Sequence, residues 1–289
     1  MTALPAPRPA RRRRRGAGRG PSAWVYATLA AVLLASTFPL YWSFVIASKD
    51  NSALGEATPP LVPGGNLFAN IARVFDTVDF WGAIQNSLIV AGSVTVSNVL
   101  LSSLAGFAFA RLRFRGRNTL FLVVVGTAMV PTQLGVIPLY LMMAELDWYG
   151  QLQAVIFPAL VSALGVFLMR QACEESVPPE LVEAARMDGC SVLGTFWHVG
   201  LPAIRPQAAV LAMLTFMTAW NDFFWPLIVL DPNDSPTVQV AVSTLASGYF
   251  TDYSLMLAGT SLGVLPVIAL FLLLARQVVG GIMQGAVKG

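Results

Sequence analysis

Asn86-Ser-Leu-Ile-Val-Ala-Gly-Ser-Val-Thr-Val-Ser-Asn-Val-Leu-Leu-Ser-Ser-Leu-Ala-Gly-Phe-Ala-Phe-Ala110 is a run of 25 residues without a charge, and Arg111, Arg113, Arg115 and Arg117 follow it at once. Wound as a helix at about 1.5 Å per residue, it exceeds the roughly 30 Å hydrocarbon core of a bilayer. An ionised side chain in that core costs at least about 2.5–3.5 kcal/mol, so the arginines mark the end of a span. Outward from this segment, charge-free runs recur at 24–47, 118–144, 150–169 and 253–275. Residues 203–230, interrupted only by Arg205 and Asp222, supply one more. The reading is an all-α membrane protein with six transmembrane helices at 24–47, 86–110, 118–144, 150–169, 203–230 and 253–275. Composition agrees: 56% of the 289 residues are hydrophobic and 11% charged, against about a quarter charged in soluble domains.

Charge also sets orientation. Of the 18 lysines and arginines, 16 fall before the first span, after the second, from the end of the fourth to the start of the fifth, or after the sixth, leaving Lys49 and Arg73 opposite. Positive residues stay cytoplasmic, which places both termini inside and the protein as a multi-pass chain in a plasma membrane. Residues 1–22 are mostly Arg, Pro, Gly and Ala, with no aromatic side chain. They cannot bury a core, and they lack the aromatics of a nucleic-acid surface, so they read as a disordered tail that sets topology, with no nucleic-acid partner. Residues 23–289 form one membrane domain in contact with lipid. Cys173 and Cys190 both fall in the reducing compartment, so a disulfide is not expected.

Several chemistries are excluded by scarcity. A P-loop needs Gly-Lys-Ser/Thr, but Ser48 precedes Lys49 and Val287 precedes Lys288. The sole histidine, His198, rules out paired-His metal motifs, and no G-x-S-x-G accompanies it. The chain is thus read as no enzyme, with no catalytic residue and no bound metal or cofactor. A secondary carrier would need an ion site near mid-membrane. Asp222, the one intramembrane acid, lies about 30 Å from Pro202 by helical rise, near the outer interface. It reads as an outer-surface anion or, with Trp220, Asn221 and Trp225 beside it, as part of a solute path, since aromatic faces and amides suit polyhydroxylated solutes.

The stretch between spans four and five is Gln171-Ala-Cys-Glu-Glu-Ser-Val-Pro-Pro-Glu-Leu-Val-Glu-Ala-Ala-Arg-Met-Asp-Gly-Cys-Ser-Val-Leu-Gly-Thr-Phe-Trp-His-Val-Gly-Leu-Pro202. Pro178 and Pro179 can open a helix, Glu180 and Glu183 suit its positive end, and Gly189 supplies a left-handed stop. Ser191 then caps a second short helix to about Val199, which Gly200 and Pro202 end. Arg186 can pair with Glu183 at i,i+3. Ala184 and Ala185 admit a close backbone, and Leu181, Met187 and Phe196 offer apolar knobs. Such residues outside a bilayer imply a docked partner.

Glu183-Ala184-Ala185, then Asp188-Gly189, then Leu201-Pro202 resembles the E-A-A…G…L-P loop of ABC importer permeases, with Val199 where isoleucine is frequent. The resemblance implies a type I importer bundle whose loop 170–202 docks on a cytoplasmic ATPase dimer. By it, Glu183, Ala184, Ala185 and Gly189 carry the docking, while Asp188, Leu201 and Pro202 shape the loop. ATP and magnesium would sit on that partner. Residues 219–230 and the tail 284–289 look like the carbohydrate branch, most like the second, maltose/glycerol-phosphate-type permease. This implies a non-identical second permease, an extracytoplasmic solute-binding protein facing 231–252, and a tail of Gly285, Ala286, Val287, Lys288 and Gly289 reaching the ATPases. The expected function is import of a sugar. An ABC permease for a non-sugar solute is the alternative within the family, and a secondary carrier the alternative outside it.

Overall fold

The computed structural model of the chain describes residues 22–52, 60–246 and 251–286, without the side chains of 274 and 276–286. The expected tail 1–22 lies outside the described residues but for Ser22, as do Val287, Lys288 and Gly289. Among the described residues there are helices and no strand. In hydrocarbon a helix satisfies its own backbone polar groups, which an open strand cannot.

The chain divides into two units, 1–43 and 44–289. In the first, helix α1 (Ala23–Ala47) begins. The hydroxyls of Thr28, Thr37 and Ser43 donate to the carbonyls of Trp24, Leu33 and Pro39 four residues back, so these three O–H groups are satisfied within the helix.

The second unit holds the last turn of α1 and thirteen further helices among the described residues. They are α2 (Leu67–Thr77), α3 (Phe80–Arg111), α4 (Arg117–Thr127), α5 (Val136–Glu145), α6 (Gln153–Ile156) and α7 (Ala163–Ser176). Then come α8 (Pro179–Met187), α9 (Val192–Thr195), α10 (Leu201–Ala203), α11 (Arg205–Trp220), α12 (Phe224–Val229), α13 (Val238–Leu245) and α14 (Tyr253–Ala286). Three helices are long and apolar enough to cross a bilayer alone: α1, α3 and the 253–273 part of α14. Three bent pairs bring the count to as many as six.

Boundaries and continuity differ from the sequence reading. The second span starts at Phe80, not Asn86, because the Asp79 carboxylate accepts the Gly82 N–H at 3.0 Å and caps α3 there. Residues 118–144 are not one helix: α4 and the segment Thr132–Glu145 are bent by 86°. Pro131 lies between them, and proline disfavours a helical residue before it. The fourth span runs on past 169 to Ser176 and bends by 43° between Ala159 and Ala163, where Ser162 is extended and caps α7. The expected span 203–230 is two helices, α11 and α12, separated at 221–223; α11 meets the preceding helical segment Val192–Ala203 at 81°. The sixth helix continues past 275 to Ala286. The amphipathic α2 was not anticipated; it buries Asn70 and Val74 against the body.

Helix α3 is central and packs on α7 and α11, and α11 packs on α14. Lipid tails are as apolar as leucine, so close backbone approach, not dehydration, drives such packing. Gly106 provides it: a Cβ there would lie 2.5 Å from the Arg170 nitrogen and 2.6 Å from the Met169 carbonyl carbon. At the end opposite the α3 arginines, Arg73 of α2 pairs with Asp252 at 2.7 Å. Partial burial pushes the Asp252 carboxyl up, but the Leu255 N–H, the Arg73 guanidinium and the Ser254 N–H outweigh it and hold it below the ordinary carboxylate value.

Candidate functional site

The segment between α7 and α11 is a helical knuckle at the arginine-bearing end of the unit. Pro178 is extended and Pro179 opens α8, where a missing N–H does no harm. The helix stops as expected. Gly189 has φ +79°, the Cys190 N–H bonds the Ala185 carbonyl at 2.9 Å, and the Gly189 N–H bonds the Arg186 carbonyl at 3.0 Å. That pair of bonds is a Schellman stop, and it needs a residue at ease in the left-handed region. Ser191 then caps α9, its hydroxyl accepting the Gly194 N–H at 3.1 Å.

The second helix does not end at Gly200 and Pro202. It widens into a π-helical turn over Phe196–Gly200 and continues through α10 to Ala203. Pro202 has no N–H for the His198 carbonyl and its ring crowds that oxygen, and the wider turn relieves both. His198 is exposed, with Nδ1 2.8 Å from the Gly194 carbonyl oxygen.

Burial sorts the knuckle into two faces. Val177, Val182, Phe196 and Ile204 are buried with Phe107 of α3 and Met169, Ala172 and Cys173 of α7. Phe196, expected as a docking knob, is 1% exposed and lies edge-on to Phe107 with ring centroids 5.7 Å apart. Leu201 packs on the same cluster, and Pro202 is half-buried. Glu183, Ala184, Asp188 and Gly189 are exposed and Ala185 half so. Met187 is 88% exposed and Leu193 61%, with Leu181, Val192 and Trp197 also open. Leu193 and Trp197 were missed in the sequence, although their i,i+4 spacing on the second helix was visible. Arg186 makes no ion pair with Glu183; among the described residues the ion pairs are Arg73–Asp252 and Arg170–Glu174. Glu183 and Arg186 are therefore both exposed and outside any ion pair among the described residues.

Arginines fix its root. Arg111 Nη2 donates to the carbonyls of Cys173 and Glu174, each at 2.9 Å, capping the negative end of α7. Arg170 pairs with Glu174 at 2.9 Å and its guanidinium carbon lies 3.9 Å from the centre of the Phe121 ring. The knuckle is thus seated on a packed core, and displacement of α8 is displacement of that core. Phe196→Ala should cost about 3–5 kcal/mol of local packing. The expected readout is faster hydrogen exchange over residues 178–200 with the amount of inserted protein unchanged.

The residues expected along a solute path part company. Trp220 is 1% exposed, stacks on Phe216 at 5.6 Å and donates Nε1–H to the Gly263 carbonyl at 3.0 Å. Trp225 donates to the Ala154 carbonyl at 3.0 Å. Both indoles tie helices together, and Trp220 faces no open space. Asn221 is exposed, its Nδ2 donating to the Met217 carbonyl at 2.8 Å, and Asp222 is half-exposed beside the N–H groups of Phe224 and Trp225. Of the expected tail, Gly285 and Ala286 end α14.

The family described as the binding-protein-dependent transport system inner membrane component matches residues 98–281, from the middle of α3 across the knuckle and into α14. The chain belongs to that family. It is a transport permease subunit of the inner membrane, with the all-α fold of type I ABC importer permeases. This permease is 35% identical to the lactose transport system permease protein LacG of Rhizobium radiobacter, over 91% of this chain and 95% of that one. It is 37% identical to the arabinooligosaccharides transport system permease protein AraQ of Halalkalibacterium halodurans, over 73% and 75%. The sn-glycerol-3-phosphate transport system permease protein UgpE of Pectobacterium atrosepticum is 32% identical over 92% and 97%. Among solved structures, a chain of a bacterial ABC transporter that imports the acidic polysaccharide alginate superposes with a TM-score of 0.74 at 22% identity, covering 88% of this permease and 95% of that chain.

Proposed function

We propose that this permease carries a sugar or sugar derivative into the cytoplasm, driven by a separate ATPase docked on the α8–α9 knuckle. One observation carries the reading: an outward face of Glu183, Ala184, Met187 and Leu193 stands on an inward face locked to α3 and α7. The E-A-A loop residues lie on the outward face, where a partner can reach them. The distribution of arginines supports a cytoplasmic location for that face and for both termini. The named relatives that handle lactose, arabinooligosaccharides and glycerol phosphate support the solute class.

In this reading the companions are a non-identical second permease, an ATPase dimer holding ATP and magnesium, and an extracytoplasmic solute-binding protein. The tail Gly285, Ala286, Val287, Lys288 and Gly289 contacts the ATPases, and Asn221 and Asp222 border the solute path on the outer side. ATP closure of the ATPases favours the outward-open form, and the loaded binding protein selects the same form. Each ligand then strengthens the other's binding by the same factor. The test is the assembled transporter in proteoliposomes with its binding protein. ATP turnover should be stimulated by an oligosaccharide, lactose or glycerol phosphate, and not by amino acids, peptides or inorganic phosphate. Stimulation confined to the second group would overturn the sugar assignment.

A further inference from the structure

Asn98 is 3% exposed in the middle of α3. Its Oδ1 accepts the Ser162 N–H at 2.9 Å, the Ser162 hydroxyl at 3.2 Å and the Ser102 hydroxyl at 2.8 Å. Its Nδ2 donates to the Thr215 hydroxyl at 2.9 Å. One side chain therefore joins α3, the first residue ahead of α7, and α11. Gly165 leaves the space: a Cβ there would lie 2.5 Å from the Ser102 hydroxyl oxygen and 2.9 Å from Asn98 Oδ1.

Two facts about these partners matter together. Ser162 heads α7, the helix that leads into the knuckle, and Thr215 sits on α11, the helix that leads out of it. Along those helices the knuckle is about 21 Å from Ser162 and about 15 Å from Thr215. Both arms of the coupling segment thus end on the same amide. The break at 160–162 would otherwise leave the Ser162 N–H without a partner inside hydrocarbon, so the amide also decides where α7 may begin.

We infer that Asn98 is the fulcrum of coupling: a positioning residue that holds both arms of the knuckle to α3, so that a push at α8 tilts α7 and α11 together instead of bending either one. The inference rests on the docking of an ATPase proposed above. Without the amide each arm can yield independently, and ATP is spent with little movement of the outer halves.

The experiment measures solute taken up per ATP hydrolysed by the assembled transporter in proteoliposomes, together with ATPase recruitment and the yield of assembled complex. Thr215→Val removes one arm with almost no change of shape, Thr215→Ser keeps the hydroxyl, and Asn98→Leu removes both arms. Thr215→Val should recruit the ATPase normally and hydrolyse ATP, yet lower uptake per ATP about tenfold, within the range of a coupling shared between sites. Thr215→Ser should match wild type, and Asn98→Leu should fall further than Thr215→Val. Unchanged uptake per ATP in Thr215→Val overturns the inference, as does a loss explained wholly by less assembled protein. Failure of the docking reading would appear in the wild type itself, as absence of any recruited ATPase.

Discussion

Gly189→Val should reduce solute uptake about 10- to 100-fold below wild type while the protein still inserts. Gly189 sits at φ +79° between α8 and α9. An L-residue in the left-handed region costs about 1–2 kcal/mol, and a β-branched side chain suffers most. The chain escapes that strain by giving up the Cys190-to-Ala185 and Gly189-to-Arg186 bonds that stop α8. Helix α8 then leaves its seat on Val177 and Phe196, and its outward residues leave the positions a partner needs. The controls separate shape from chemistry. Gly189→Asn, which tolerates the left-handed region, should keep most of the uptake. Glu183→Arg reverses a charge that has no ion-pair partner among the described residues, so its whole effect should fall on ATPase recruitment. Uptake assays beside co-purification of the ATPase measure both. Full uptake with normal recruitment in Glu183→Arg would remove the docking assignment.

The second large effect is on assembly. Gly106→Leu should leave little folded protein, because its side chain would have to enter space held by the backbone of Met169 and Arg170. Overpacking a core costs about 1–3 kcal/mol where side chains can yield; here the obstacle is a helix axis, so the cost lies at or above the top of that range. Moving α7 away from α3 also opens the cluster around Phe107, Met169 and Phe196, and detaches Ser162 from Asn98. Size-exclusion elution and thermal unfolding of the detergent-extracted protein check this. Gly106→Ala should fall between wild type and leucine, and a leucine variant eluting and melting as wild type would refute the close-contact argument.

Much of the knuckle was legible before any coordinates. Gly189 as a left-handed stop and Ser191 as a cap follow from residue chemistry, because a backbone that needs positive φ or an orphan N–H admits few side chains. The break near Pro131 carried a visible signal too, yet a charge-free run of 27 residues reads as continuous when apolarity alone is counted. Likewise the amphipathic spacing of Leu67, Asn70, Ile71 and Val74 was open to inspection in a segment that charge-free runs alone pass over. Phe196 and Trp220 show a different failure. Each is an aromatic residue beside polar neighbours, which suits a docking knob or a sugar face equally well on paper. Whether it points to Phe107 or outward, to Gly263 or a solute, depends on the helix across from it.

By itself the sequence determined that this chain lies in a membrane, which end is basic and where the knuckle turns. Those outcomes depend on transfer energies and local backbone preferences, which act residue by residue. The tertiary structure alone decided how far the helices bend, which face of the knuckle is outward, and that Asn98, Ser162 and Thr215 meet. In lipid, polarity no longer says which side of a helix is inside. Contact is decided instead by where small residues let backbones approach and where a buried amide finds its donors and acceptors, and both depend on residues far apart in the chain.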